Sequence, residues 1–416
     1  MATGFHNHIS KTGKQYYNNL IDGLLEKGIK PLITIYHWDL PQRIQELGGW
    51  TNPLISDWFA DYARVVFSLF GDRVKTWITI NEPLIMCEMS YNDGTMAPGI
   101  VSPELGTYLC NKHTLMAHAK AWRMYDKEFR HKFHGEVSLV NHMFWYEPYA
   151  QEDEELTELA QENSAGRYSH PIFSKEGGWP PSIVEAMALN SRRKGFLKSN
   201  FPPLTQDEIE LMRGTYDFYA MNHYSSRQVR RRKPGEKLGS WPIFDGPDLD
   251  IKLSLAPEWK VASWWFGVNP PGIRKQLVWL KKRYGDMKFI IAENGYPTNS
   301  KELYDPERMA YLHDNLEQVL LAIREDGINI AAYTAWSLMD SFEWMDGYKS
   351  TFGLFQVDFK SPEKTRTPRA SAHYYRRIIK AHSLDVPKPH VSKARNNVTT
   401  DNLFMTYFFA KKLYHR

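Results

Sequence analysis

Cysteine is nearly missing from this chain: its 416 residues include only Cys87 and Cys110. Two thiols exclude a multi-bridge framework and cannot supply a metal cluster of the usual spacing. The expectation is a free buried pair rather than a bridge, with Cys87 structural. Long apolar runs are missing too. None approaches the ~20 residues needed to span a bilayer, so no membrane partner is expected. Met1 to Ser10 carries no apolar core of a signal peptide. Neither sign of charge dominates: 52 Lys and Arg stand against 48 Asp and Glu, a net +4. The main basic run, Arg230, Arg231, Arg232 and Lys233 beside Pro234 and Gly235, reads as a solvated loop. It lacks the broad basic face interleaved with aromatics that nucleic acid would require. No Gly-rich phosphate loop, dinucleotide fingerprint, short repeat or linker divides the chain. One domain over residues 1–416 is therefore expected. The single sequon, Asn397-Val398-Thr399, is weak evidence for secretion.

What is present is an alternation of strand and helix. Apolar, β-branched runs predict buried parallel strands at Pro31–Tyr36, Thr76–Ile80, Glu136–Asn141, Tyr216–His223, Phe289–Ala292 and Ile330–Trp336. Helical stripes lie between them, such as Leu54, Trp58, Tyr62, Val65, Val66, Leu69, and Leu312, Leu316, Val319, Leu320, Ile323. Nearly every strand ends in polar or aromatic residues: His37-Trp38, Asn81-Glu82, Asn141-His142, Asn222-His223-Tyr224, Glu293-Asn294, Trp336-Ser337. Chemistry at the C-terminal ends of all strands is the habit of a (β/α)8 TIM barrel, an α/β fold. An open doubly wound sheet gathers it at one switch point. Six strands are read where such a barrel needs eight. The first element, near Lys14–Lys27, is a helix with no strand before it. Two βα steps, roughly 60 residues, are therefore expected to be absent ahead of it, leaving two unpaired sheet edges.

Two strand ends carry carboxylates: Glu82 after Trp77-Ile78-Thr79-Ile80-Asn81, and Glu293 after Phe289-Ile290-Ile291-Ala292. A lone Glu at a strand end reads equally as a helix N-cap or a surface ion pair. Two of them, each beside an Asn, match the pair that retaining glycosidic cleavage needs. There one carboxyl protonates the leaving oxygen and the other attacks the anomeric carbon, about 5–5.5 Å away. The acid needs a raised pKa and the nucleophile an ordinary one. Burial and the charge of Glu293 would both raise Glu82.

The segments Thr79-Ile80-Asn81-Glu82-Pro83 and Ile291-Ala292-Glu293-Asn294-Gly295 resemble the two signatures of glycoside hydrolase family 1, the β-glucosidase family. The likeness continues in Tyr36-His37-Trp38-Asp39-Leu40-Pro41, in Asp217–Tyr224, and in Trp336-Ser337-Leu338-Met339-Asp340-Ser341-Phe342-Glu343-Trp344. His170-Pro171-Ile172-Phe173-Ser174 with Gly177-Gly178-Trp179-Pro180 is similar to animal, insect-like members. The resemblance implies Glu82 as acid/base and Glu293 as nucleophile. It implies Tyr224 as hydrogen-bond partner of that nucleophile, with Asn222 on the same wall. His37, Asn81, Glu343 and Trp344 would bind sugar hydroxyls, Trp336 would lie under the ring, and Trp259 would flank the aglycone. Trp38, Trp50 and Trp265 are left as core or rim. The implied partner is a small-molecule β-glucoside or oligosaccharide, with no cofactor and no metal. A secreted or digestive-lumen setting is what a full-length animal relative would imply.

The departures from the family pattern are Ala292 for Thr, Ala220 for Gly and Ser341 for Asn. The sugar-binding Gln and the Arg beside the nucleophile, from the family's first two strands, have no counterpart here. Glu82 stands where plant thioglucosidases carry Gln, which favours O-glycosides. The rival readings are a truncated, non-catalytic sugar-binding relative, a thioglucosidase, and a transglycosidase using the same site.

Overall fold

The computed structural model describes residues 8–241, 245–387 and the short strand at 408–409. The sequon at Asn397 lies outside them. The chain packs as two compact units. One comprises the described residues of Met1–Ala220 and Arg227–Ser254; the other comprises those of Met221–Ser226 and Leu255–Arg416. No helix among the described residues is long and apolar enough to cross a membrane.

In the first unit, helix α1 (Lys11–Glu26) starts at Ser10, whose hydroxyl accepts from the Gly13 amide at 3.1 Å, an ordinary N-cap. Strands β1 (Leu32–Thr34), β2 (Thr76–Asn81) and β3 (Glu136–Pro148) follow as parallel neighbours, with Leu32 opposite Thr76 and Thr76 opposite Glu136. Five consecutive residues of β2, Trp77–Asn81, are buried, as expected of a parallel strand covered on both faces. Helix α2 (Ile55–Phe70) buries Ile55, Phe59, Ala63, Phe67 and Phe70, one stripe of the helix. Phe67 is fully enclosed by the rings of Trp77, Tyr125 and Phe129, with centroids 4.8–6.1 Å away. Strand β4 (Tyr219–Arg231) is the next sheet neighbour of β3. Its approach is fastened by Asp217, which accepts from the Val137 amide (2.7 Å) and from Arg130 (3.0 Å).

Helix α3 (Pro83–Tyr91) leaves the end of β2 directly, with proline at its first position, where no amide is needed. It is buried on nearly every side and lies against α4 (Gly106–Glu128). Here one expectation is corrected: Cys87 of α3 and Cys110 of α4 form a disulfide, their Cα atoms 5.5 Å apart. Sequence spacing carries no information about how two helices cross, so it could not foresee that separation. A second correction concerns the basic run. Arg230 and Arg231 end β4 and pair antiparallel with Lys252 and Ile251, so they are not a loop. Arg230 binds Glu236 at 2.6 Å and Arg232 binds Asp250 at 3.0 Å. The acidic partners lie close in sequence, but only the strand pairing turns them toward the arginines.

In the second unit, the middle of β4 is followed in the sheet by β5 (Phe289–Asn294) and β6 (Ile330–Ala335). The last two are parallel, with Tyr333 opposite Ile291. Along the far edge of β6, expected to be unpaired, Phe408–Phe409 pairs antiparallel with Ala332 and Tyr333. Helices α5 (Pro271–Tyr284) and α6 (Pro306–Arg324) are joined through Arg274, which holds both Glu325 and Asp326 at 2.6 Å. The segment after β6 is anchored by two buried ion pairs. Arg369 clasps Asp340 with two bonds of 2.9 Å, and Arg308 binds Asp305 at 2.6 Å. Both arginines also donate to the Gly353 carbonyl. A Cβ on Gly353 would sit 2.2 Å from the Asp340 amide nitrogen, so only glycine fits there.

The disulfide closes a segment of 23 residues' separation. Replacing Cys87 and Cys110 together by Ser is expected to lower unfolding stability by ~2–4 kcal/mol. The check is the denaturant midpoint, compared at equal slope with that of the parent chain.

Candidate active site

The first unit places Glu82 at the junction of β2 and α3. Its backbone is left-handed (φ 44°), a conformation uncommon for a side chain larger than Asn and one that costs of order 1–3 kcal/mol. Glu82 occupies the N-cap position of α3, but its carboxylate does not cap the helix. It lies 3.0 Å from His142 Nδ1, and both residues are about 5% exposed. This contact separates Glu82 from the N-cap reading that sequence alone left open. Asn81, 2% exposed, donates its side-chain amide to His37 Nε2 at 3.2 Å. Burial lowers the pKa of His37, opposed by the charges of Glu82 and Asp39, so the ring is neutral at pH 7. Trp38, also left-handed (φ 71°), donates its indole N–H to the Asn81 carbonyl at 2.8 Å. Trp50 belongs to the core, bonded to the Tyr36 hydroxyl. His37, Asn81, Glu82 and His142 thus form one connected polar group.

The second unit builds its own group. Tyr224, on the mid-part of β4 and 7% exposed, donates its phenol to Glu293 Oε2 at 2.8 Å. Asn222, two residues earlier, is fully buried. Asn294, next to Glu293, is a clamp. Its amide nitrogen donates to the His223 carbonyl (2.6 Å) and lies 3.0 Å from the Tyr311 hydroxyl, while its oxygen accepts from Tyr333 (2.6 Å). Strands β4, β5 and β6 and helix α6 therefore all hold the residue beside the carboxylate. Gly295 follows because a Cβ there would collide with the Trp336 carbonyl oxygen at 1.7 Å.

Trp336 continues from β6, its amide bonded to the Asn294 carbonyl at 2.9 Å, and a cis peptide links it to Ser337. It is half-buried. Beyond it, Ser341 donates to Glu343 at 3.1 Å. Burial pushes the Glu343 carboxyl up to about 7; the Ser341 bond opposes this, and Asp346 and Asp340 add to it. Trp344, left-handed at φ 44° and 36% exposed, begins a short turn. Trp259 lies on the hairpin beside Ser225, the residue after Tyr224. It backs Gly267 in a hairpin that Ser225 Oγ holds by bonds to the Gly267 amide and carbonyl, both 3.0 Å.

Sequence reasoning did not single out His142, although Asn141-His142 carried the same signal as the other polar strand ends. It also had no means of finding the Asp340–Arg369 clasp, whose partners lie 29 residues apart. Among the described residues no cluster of His, Cys, Asp or Glu is arranged to hold a metal ion.

The chain matches the family model described as Glycosyl hydrolase family 1 over residues 1–384. It is 40% identical over 383 residues to Myrosinase 1 of Brevicoryne brassicae, covering 91% of this chain and 80% of that protein. It is 38% identical over 388 residues to the cytosolic beta-glucosidase of Homo sapiens, covering 92% and 81%. Among solved structures, aphid myrosinase superposes with a TM-score of 0.84 at 39% identity, covering 91% and 81%. A rice beta-glucosidase superposes with a TM-score of 0.80 at 31% identity, covering 90% and 80%. The fold class is accordingly α/β, that of the (β/α)8 barrel, as the strand-end chemistry predicted.

Raising the pH from about 4.5 to 7 ionises Glu343 in the unfolded chain before it ionises in the folded one. The folded state then binds more protons, so this group lowers stability across that window and costs nothing further above it. Glu343→Gln removes the effect. Its melting temperature relative to the parent is expected to be higher at pH 8 than at pH 4.5, by an equivalent of ~1 kcal/mol or more. An unchanged difference between the two pH values would show that Glu343 titrates normally.

Proposed function

Because the chain belongs to glycosyl hydrolase family 1, we propose that it is a retaining β-glycosidase that hydrolyses O-linked β-D-glucosides by double displacement. The observation that carries this reading is the phenol of Tyr224 donating to the Glu293 carboxylate. A hydrogen bond to the charged form favours ionisation, which a nucleophile needs. Glu82 protonates the glycosidic oxygen as the bond to the anomeric carbon breaks. Glu293 then holds the sugar as an ester. Glu82, now ionised, takes a proton from water; the water oxygen displaces Glu293, and the product keeps the β configuration. His142, 3.0 Å from Glu82, orients that carboxyl between its two tasks. His37, Asn81, Asn222, Glu343 and Trp344 bind the sugar hydroxyls, and Trp336 packs on the ring face. Trp259 contacts the aglycone. Residues 1–416 act as one catalytic domain, and no cofactor takes part.

A thioglucosidase reading has the likeness to an aphid myrosinase in its favour. The O-glycoside reading is preferred because an acid such as Glu82 serves a poor oxygen leaving group more than a good thiolate one. Comparing aryl O- and S-β-glucosides at equal aglycone separates the two. A transglycosidase would give alkyl glucoside when alcohol is added. A non-catalytic relative would turn over neither substrate.

Glu293→Gln is expected to reduce kcat for an aryl β-glucoside by more than about 10³-fold. Azide added to Glu293→Ala should yield the α-glucosyl azide, and azide added to Glu82→Ala the β-anomer. Absence of both azides, with full activity in Glu293→Gln, sinks the assignment. Tyr224→Phe removes one charge-assisted bond of about 1.5–3 kcal/mol. Its kcat/KM should fall ~10–100-fold, with the acid limb of the pH profile moved upward. An unmoved limb would make Tyr224 a packing residue.

A further inference from the structure

Helix α3 starts on the candidate acid itself. The Glu82 amide donates to the Val140 carbonyl of β3 at 2.9 Å. The Glu82 carbonyl accepts from the Met86 amide at 3.1 Å, the first bond of the helix. Glu82 is therefore the joint between sheet and helix. The direction of its side chain depends on how α3 leaves the sheet. An α-helix is stiff along its axis, so whatever holds α3 further along also bears on Glu82.

Two ties hold it there. Cys87 is bonded to Cys110 of α4. Glu88, six residues beyond Glu82 and about 9 Å along the axis, is ion-paired with Arg167. Both members of that pair are fully buried. Glu88 also accepts from the Asn92 side-chain amide at 2.8 Å. Arg167 begins the helix Arg167–Phe173, and its guanidinium lies over the rings of Tyr108 and Tyr168, 5.6 and 5.3 Å from their centroids. Tyr108 belongs to α4, so the pair joins three helices. Successive residues point about 100° apart around a helix, so the disulfide and the ion pair grip α3 from different sides.

Stability alone is a poor account of the pair. Replacing both members of a buried ion pair by apolar side chains of similar volume is often neutral or stabilising. What an apolar pair cannot supply is the fixed direction of a guanidinium–carboxylate contact. We propose, resting on the glycosidase reading, that Arg167 is a positioning residue. Through Glu88 it fixes the axis of α3, and with it the direction from which Glu82 donates its proton.

The test compares two substrates of the full chain. Phenyl β-D-glucoside releases a poor leaving group and needs the proton of Glu82; dinitrophenyl β-D-glucoside releases a phenolate stable enough to depart unprotonated. The variant is Glu88→Leu combined with Arg167→Met, which removes both charges at similar volume. Its kcat/KM for the phenyl glucoside is expected to fall ~10–100-fold, the effect of misplacing a catalytic group by about 1 Å, while that for the dinitrophenyl glucoside stays within about twofold. A pair that serves only stability would slow both substrates alike or neither, and either result overturns the proposal. Arg167→Lys keeps the charge but loses the planar fork. It should also slow the phenyl glucoside selectively, and so reads the proposal even if the double variant fails to fold. A parent chain that hydrolyses neither glucoside overturns the glycosidase reading and this proposal together. An active parent with no selective loss in the variants overturns this proposal alone.

Discussion

A carboxylate taken out of water loses several kcal/mol of hydration unless a donor replaces the lost solvent, and much of this structure is arranged around that cost. The buried or half-buried acids Glu82, Glu88, Glu293, Asp340 and Glu343 each have a donor beside them. Glu293 has the phenol of Tyr224, Glu82 the imidazole of His142, and Glu343 the hydroxyl of Ser341. Asp340 and Glu88 have the guanidinium groups of Arg369 and Arg167. The kind of partner separates roles. The two arginine pairs are full charge pairs that fasten backbone segments together. Glu293 and Glu343 are met instead by neutral hydroxyl donors.

The scaffolding follows from the same cost. Parallel strands buried on both faces are mostly apolar along their length, and Asn81-Glu82 and Glu293-Asn294 fall at the ends of β2 and β5. Asn294 then serves the neighbouring acid by tying three strands and a helix to one amide. Left-handed backbone at Trp38, Glu82 and Trp344 occurs within the segments that carry the candidate residues. Conformations of that cost persist only where surrounding contacts dictate them.

Much of this was legible in the chain itself. All six strands stand where apolar β-branched runs predicted them, though β3 and β4 run on to Pro148 and Arg231. Those extensions escaped notice because their residues alternate or carry charge, and charge reads as loop until a pairing strand such as Ile251–Ser254 is known. Ser341, which sequence marked only as a departure from a usual Asn, keeps a hydroxyl against Glu343. The bridge between Cys87 and Cys110 went the other way. Two isolated cysteines on separate helices carry no sign of their proximity, and the expectation of free thiols failed for that reason.

By itself the sequence determined the alternation of strand and helix, the family, and the carboxylates at strand ends. Those depend on local periodicity and on side-chain type. The resemblance also implied the bond from Tyr224 to Glu293, across 69 residues. Tertiary structure alone decided that His142 meets Glu82 across 60 residues and Arg167 meets Glu88 across 79. It also decided that Arg230 and Arg231 belong to a strand. Hydrogen bonds and ion pairs act over about 3 Å, a distance that sequence separation does not encode.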